Sequence, residues 1–153
     1  MKKNLLVSIV LFVSDIDDQG FKVWVQKRLE EGPLYGLWEF PGGKIEALET
    51  PEAAARREVH EEVDFIIPPQ SPLKLFKLQP YESETKNICL YVFISPEAQI
   101  PEGKGQWFEI PYEGKSAHLK GKIPSINHVI LDDLAVYIQA QYKASLVDHL
   151  WKT

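Results

Sequence analysis

The sequence predicts an α/β (α+β) fold, a mixed β-sheet lying between helices. Three observations predict it. Apolar, β-branched runs bounded by turn residues alternate with two segments of helical period in one short chain. The length of 153 residues suits one core rather than two. No repeat, low-complexity segment or Pro/Gly/Ser-rich linker divides the chain, so residues 1–153 are read as one domain.

Strands are expected near Leu5–Ser14, Phe21–Gln26, Leu37–Phe40, Lys74–Gln79, Asn87–Ser95 and Gln106–Ile110. The first needs a decision, because Lys2-Lys3 ahead of an apolar run imitates a signal peptide. No small-x-small cleavage site follows, and the run is too short to span a bilayer. Its β-branched content and the turn cluster Asp15–Gly20 fit a buried strand entering a hairpin, and the protein is then expected in the cytoplasm, off the membrane. Asp15–Gly20 also faintly resembles a calcium loop. Its twelfth position would be Gln26, where a bidentate Glu is needed, so a hairpin turn is the better account.

Two helices are expected. In the first, Pro51–Glu62, Thr50 can cap, Pro51 suits the first helical position and Glu52 favours the positive end of the dipole. The second starts near Ser125 and reaches at least Ala144, with Ile126, Ile130, Leu134, Tyr137, Ile138 and Gln141 at a 3.6-residue period.

Composition excludes several classes. A net charge of −5 offers no general basic field for long nucleic acid or an anionic membrane. The single cysteine, Cys89, rules out an internal disulfide and a Cys-based zinc cluster, and reads as a small buried hydrophobe.

The chemistry gathers in Trp38-Glu39-Phe40-Pro41-Gly42-Gly43-Lys44-Ile45-Glu46, then Glu49, then Arg57-Glu58-Val59-His60-Glu61-Glu62. Glu58, Glu61 and Glu62 stand at i, i+3 and i+4, so all three leave one helix face, beside an apolar stripe of Ala55, Val59 and Val63. Carboxylates so gathered repel one another, and hard oxygen-seeking cations such as Mg²⁺ or Mn²⁺ resolve the conflict. The Pro41-Gly42-Gly43 turn permits close backbone approach, so a carbonyl there can join the coordination shell. A solvated acidic helix face is the bland alternative. It leaves unexplained why a Gly-Gly turn, an isolated Glu and an Arg-Glu-x-x-Glu-Glu run occur together.

Gly43, Glu49, Arg57, Glu58, Val59, Glu61, Glu62 and Phe65 fall in register on the signature of the Nudix family, which this chain resembles. Six Gly, Glu or Arg identities at fixed spacing coincide by chance at about one start in ten million, taking each residue type at about one in fifteen. The resemblance implies an α/β/α sandwich with a central mixed sheet, and Mg²⁺-dependent hydrolysis of a phosphoanhydride. It implies metal held by the Gly42 carbonyl and by Glu58, Glu61 and Glu62, with Glu49 and Arg57 completing the catalytic set. One position departs: Asp64 stands where the family has glycine, in a place where a left-handed residue closes the helix.

Residues outside the signature also look like the MutT-type branch, the nucleoside triphosphate pyrophosphohydrolases that clear oxidised nucleotides. These are Leu37–Glu46 and Ile123–Ile130. In that branch the place of Asn127 reads the purine base and the place of Arg28 faces the nucleotide. Asn127 as a helix-start residue aiding the cap is the plain alternative. Lys44 is a further candidate for the outer phosphates. A late-strand Glu of that branch is replaced here by Gln106, leaving Glu102, Glu109 or Glu49 as candidate bases. Tyr81 occupies a place associated with dinucleoside polyphosphate hydrolases, and Tyr35, Trp38, Tyr81 and Trp107 are candidates to stack a base.

The partner expected is thus a nucleotide or a nucleoside-diphosphate-linked small molecule. The nearest alternatives are the 5′ end of RNA, with Lys115, His118, Lys120 and Lys122 as a local basic cluster, and a dinucleoside polyphosphate. A nucleotide-binding sensor without turnover is the non-enzymatic alternative, and it fits poorly with an intact set of box carboxylates.

Overall fold

The computed structural model describes residues 1–100 and 105–152. Its elements run β1 (Lys3–Ser14), β2 (Gly20–Lys27), β3 (Trp38–Glu39), β4 (Gly42–Lys44), α1 (Pro51–Val63), β5 (Lys74–Glu82), β6 (Lys86–Ser95), β7 (Gln106–Pro111) and α2 (Ser125–Lys152), with a short 3₁₀ turn at Ala117–Leu119. The strand order is β3-β2-β1-β6-β5, with β4 also paired to β1 and β7 to β2. β1 runs parallel to β6 from Lys3↔Lys86 to Phe12↔Ser95, and every other pairing is antiparallel, so the sheet is mixed as expected.

Strand alternation sorts the core into two faces. Ile9, Leu11 and Val13 of β1 pack with Val23 and Val25 of β2 against Ile130, Leu131, Leu134 and Ile138 of α2. Val10 and Phe12 point the other way and meet Trp24 with Ala55, Val59 and Val63 of α1. One helix therefore covers each face, which is the α/β/α sandwich. From Ser8 to Val13 β1 is covered on both sides, so this part is a near-continuous apolar run instead of an alternating one.

Local chemistry sets the element ends. Thr50 accepts a hydrogen bond from the Ala53 N–H at 3.1 Å, capping α1 ahead of Pro51. Asp64 closes the helix in the left-handed region at φ 57°, ψ 39°, its N–H bonded to the His60 carbonyl. Between β1 and β2, Asp17 caps the hairpin by accepting from the Gln19 and Gly20 amides.

Two expectations need correction. The sequence predicts a turn at Pro41-Gly42-Gly43, yet Gly42–Lys44 forms a strand, β4, on β1. A Cβ at Gly42 would lie 2.1 Å from the Ser8 carbonyl oxygen, so only glycine lets the backbones come this close. Cys89 is partly buried instead of fully so. The stretch after α1 is tied down: Ile67 is buried, and Arg56 donates to the Pro68 and Ser71 carbonyls. The loop before α2 is tied down in the same way. Its buried Ser116 donates to Asp132 at 2.7 Å and lies 2.8 Å from His128 Nδ1, both on α2. Among the described residues no helix is long and apolar enough to cross a membrane.

Candidate active site

The site is built where α1 crosses β4. Buried Ala54, Ala55, Val59 and Val63 pin the helix to the sheet. The buried Ser8 hydroxyl donates to the Pro51 carbonyl at 2.7 Å, fixing the first turn over β1. Gly43 then lies directly against Glu58: a Cβ there would sit 2.4 Å from the Glu58 carboxyl carbon. The second glycine of the turn is thus a contact surface for a carboxylate, a role that its spacing alone did not reveal.

Arg57 organises the acids. Its Nε and Nη2 reach the two oxygens of Glu49 at 2.7 and 2.9 Å, a bidentate pair. Nη1 reaches Glu58 at 3.0 Å and Glu61 at 3.2 Å, and Nη2 also donates to the Lys44 carbonyl at 3.0 Å. The Glu46 N–H donates to the same Glu49 carboxylate at 3.0 Å. These bonds, the Arg57 pair above all, hold the Glu49 carboxyl far below its ordinary range, at about 2. Glu49 in turn raises the Arg57 guanidinium well above its usual value.

Glu62 stands apart from that network. As a residue it is exposed, but its carboxyl is crowded among Gln26, Glu39, Gly42 and Glu58. Burial of the carboxyl raises its pKa to about 7, against hydrogen bonds from the Gln26 side chain and the Gly42 N–H, while Glu58 and Glu39 repel its charge. The ladder geometry orients Gly42. Val10 N–H bonds the Pro41 carbonyl at 3.0 Å, which makes Ile9 and Gly42 a non-hydrogen-bonded pair. The Gly42 N–H and C=O therefore turn away from β1, toward the Glu62 side.

Glu58, Glu61 and Glu62 share the expected face, but they do not converge on a point. Among the described residues no group of three or more His, Cys, Asp or Glu is close enough to hold a metal as it stands. The donors on this ground are nonetheless all oxygens, the chemistry of a hard cation that keeps several waters and takes only one or two carboxylates.

The other candidate residues fall into distinct places. Arg28 is held by Glu39 and Glu30, each at 3.1 Å. Burial raises the Glu39 carboxyl, with Arg28 opposing. Burial likewise raises the half-buried Tyr81 hydroxyl, which feels the charges of Arg28 and Glu39 and so lies in their neighbourhood. Asn127 is buried on the first turn of α2, and among the described residues its carboxamide makes no hydrogen bond, so it does not act as a cap. Lys44 is exposed on β4.

Trp38 stacks edge-on against Phe108 at 5.4 Å, Trp107 packs on the α1 side of the core, and Tyr35 is exposed. His118 and Lys122 of the basic cluster line a cleft of about 460 Å³ with Trp38, Gln106 and Phe108. Gln106 pairs with Val25 and so faces α2, away from the α1 carboxylates. Glu109 pairs with Lys22, four residues from Gln26 and thus about 13 Å along the strand at roughly 3.3 Å per residue. That distance removes Glu109 as a stand-in base. Glu102 lies outside the described residues. A larger cleft of about 780 Å³, lined by Asp15, Asp17, Lys22, Glu109 and His118, lies at this far end of β2.

Two residues of the site carry no role in the sequence reading, Gln26 and Glu39. They face each other across β2 and β3. Their signal is strand alternation: Trp24 lies on the α1 face, and Gln26 two positions on must share it.

Comparison with known proteins agrees with this geometry. A family model described as the NUDIX domain matches residues 4–113. The chain is 34% identical to an 8-oxo-dGTP diphosphatase of Escherichia coli K12 over 103 residues, which is 64% of this chain and 78% of that protein. It is 33% identical to an 8-oxo-dGTP diphosphatase of Proteus vulgaris, over 59% of this chain and 80% of that one. The solution structure of the E. coli ORF135 protein superposes with a TM-score of 0.64, covering 91% of this chain and 94% of its own at 20% identity, a likeness of fold.

Proposed function

This chain belongs to the Nudix family, whose members are hydrolases that generally work with divalent metal ions, and on that premise we propose that it cleaves a nucleoside triphosphate to pyrophosphate and the monophosphate, with an oxidised purine nucleotide as substrate and Mg²⁺ as the cation. Mn²⁺ can take the same place. One observation carries the reading: Gly42, Glu58 and Glu62 from β4 and α1 are packed together on one side of the sheet, with Glu61 beside them and Arg57 bonded to Glu49, Glu58 and Glu61. The choice of nucleotide is supported by the relatives named 8-oxo-dGTP diphosphatase.

The Gly42 carbonyl, Glu58, Glu61 and Glu62 would hold the cation. When bound, it neutralises phosphate charge and makes water more acidic. Arg57 keeps Glu58 and Glu61 oriented, and Glu49 keeps Arg57 in place. With its carboxyl near 2 and both oxygens engaged, Glu49 is a poor proton acceptor at neutral pH and serves as that anchor. Arg28 and the exposed Lys44 meet the outer phosphates, Arg28 exchanging Glu30 for the ligand. The unengaged carboxamide of Asn127 offers the donor and acceptor that a purine edge needs.

The test is Glu61→Gln together with a substrate panel. A lost cation contact worth several kcal/mol predicts at least about a hundredfold fall in kcat, with the fold retained. Near-wild-type turnover at saturating Mg²⁺ overturns that ligand assignment. The panel sets canonical and 8-oxo nucleoside triphosphates beside dinucleoside polyphosphates and triphosphorylated RNA. A preference for 8-oxo nucleotides supports the reading, turnover of only the last two moves the substrate, and binding without hydrolysis makes the chain a sensor.

A further inference from the structure

Gln26 belongs to no motif, yet it is placed at the centre of the acidic ground. It pairs with Glu39 across β2 and β3, on the sheet face that carries Trp24 toward α1. Its Nε2 donates to Glu62 Oε2, and the Gly42 N–H reaches the same carboxylate. Glu62 is thus gripped by two donors from two different strands. A carboxylate has about four lone-pair sites, so two donors leave it able to accept elsewhere. The lone pairs left open share the ground with the outward-turned Gly42 carbonyl. The donor at this place is neutral, although the chain continues into Lys27 and Arg28. A Lys or Arg at 26 would cancel the Glu62 charge and fill the space with its own cation. An apolar residue there would leave the carboxylate free to rotate toward water.

We propose that Gln26 is a positioning residue for the divalent-cation site, holding the Glu62 carboxylate in the orientation that presents its open lone pairs beside the Gly42 carbonyl. The inference rests on the metal reading above. Partners that orient a metal ligand in this way are typically worth 10–100-fold in metal affinity.

The experiment titrates Mn²⁺ into full-length protein without nucleotide, following free Mn²⁺ by electron paramagnetic resonance, for wild type, Glu61→Gln, Gln26→Met and Gln26→Lys. Gln26→Met keeps the length and loses the donor, and its Mn²⁺ Kd is expected to rise about tenfold or more. Gln26→Lys is expected to weaken binding further. Activity that Gln26→Met loses at low Mn²⁺ should return at high Mn²⁺, and the metal-free melting temperature of Gln26→Met should stay with wild type, which separates positioning from a general structural effect. If Glu61→Gln weakens Mn²⁺ binding while both Gln26 variants match wild type, the inference about Gln26 fails and the metal reading survives. If wild type takes up no Mn²⁺, both fail.

Discussion

Glu62→Gln tests the electrostatics of the site in the absence of any metal. The Glu62 carboxyl is raised from an ordinary 4.5 to about 7, with burial the largest cause. The folded protein therefore binds a proton there more tightly than the unfolded chain does, and between about pH 4.5 and 7 stability falls as pH rises. Below that window the penalty is absent. Above it the penalty is complete. Two and a half pKa units at 1.36 kcal/mol each set a ceiling of about 3 kcal/mol. Because Glu62 is exposed as a residue, solvent screens the carboxyl, and about 1–2 kcal/mol is the working figure. Gln reproduces the shape of the protonated acid without the charge. In EDTA at pH 8 the variant should melt above wild type by about 2–8 °C, at roughly 2–4 °C per kcal/mol for a chain of this size. At pH 4.5 the two should coincide. Added Mg²⁺ should reverse the order at pH 8, since a cation at a hundred times its Kd stabilises by about 2.7 kcal/mol and the variant has lost a ligand. Circular dichroism melts at the two pH values, with and without Mg²⁺, read all four conditions. A variant that melts with or below wild type in EDTA at pH 8 refutes the argument.

Other expectations follow from the backbone. Gly43→Ala places a methyl where the Glu58 carboxyl lies 2.4 Å away, so kcat should fall about a hundredfold, the effect of misplacing a reactive group by an ångström, in a protein that still folds by circular dichroism. Asp64→Gly relieves a left-handed residue at φ 57° and should raise stability by about 0.5–1 kcal/mol in urea unfolding, with kcat unchanged. Leu48→Gly acts likewise at φ 66°, and its fully exposed side chain has no packing to lose, so a gain of about 1 kcal/mol is expected.

Much of this protein was legible as sequence because the deciding physics is local. The period of α1 places Glu58, Glu61 and Glu62 on one side, Thr50 and Asp64 bound the helix by capping chemistry, and the apolar run from Ile9 to Val13 is the run of a strand covered twice. The fold class follows from that alternation of strands and helices. β4 was missed because nothing within Gly42–Lys44 says strand: three residues become one only when β1 arrives to pair with them. The weight of Arg57 was half legible. Its i,i+4 bond to Glu61 is a helical spacing, whereas its bidentate grip on Glu49 depends on how the box loop folds back over the helix.

By itself, then, the sequence determined the helices, the strand faces and the inventory of carboxylates, since each follows from neighbours a few positions apart. Only the tertiary structure decided how those acids differ. Glu49 near 2 and Glu62 near 7 are the same side-chain type thirteen positions apart, and what separates them is an arginine in bonding range of one and a crowded, part-buried place beside other acids for the other. It also put Gln106 and Glu109 out of reach of the helix carboxylates and brought Gln26 to Glu62. Which groups meet across a sheet depends on register and chain path, and neither is written in any short stretch of residues.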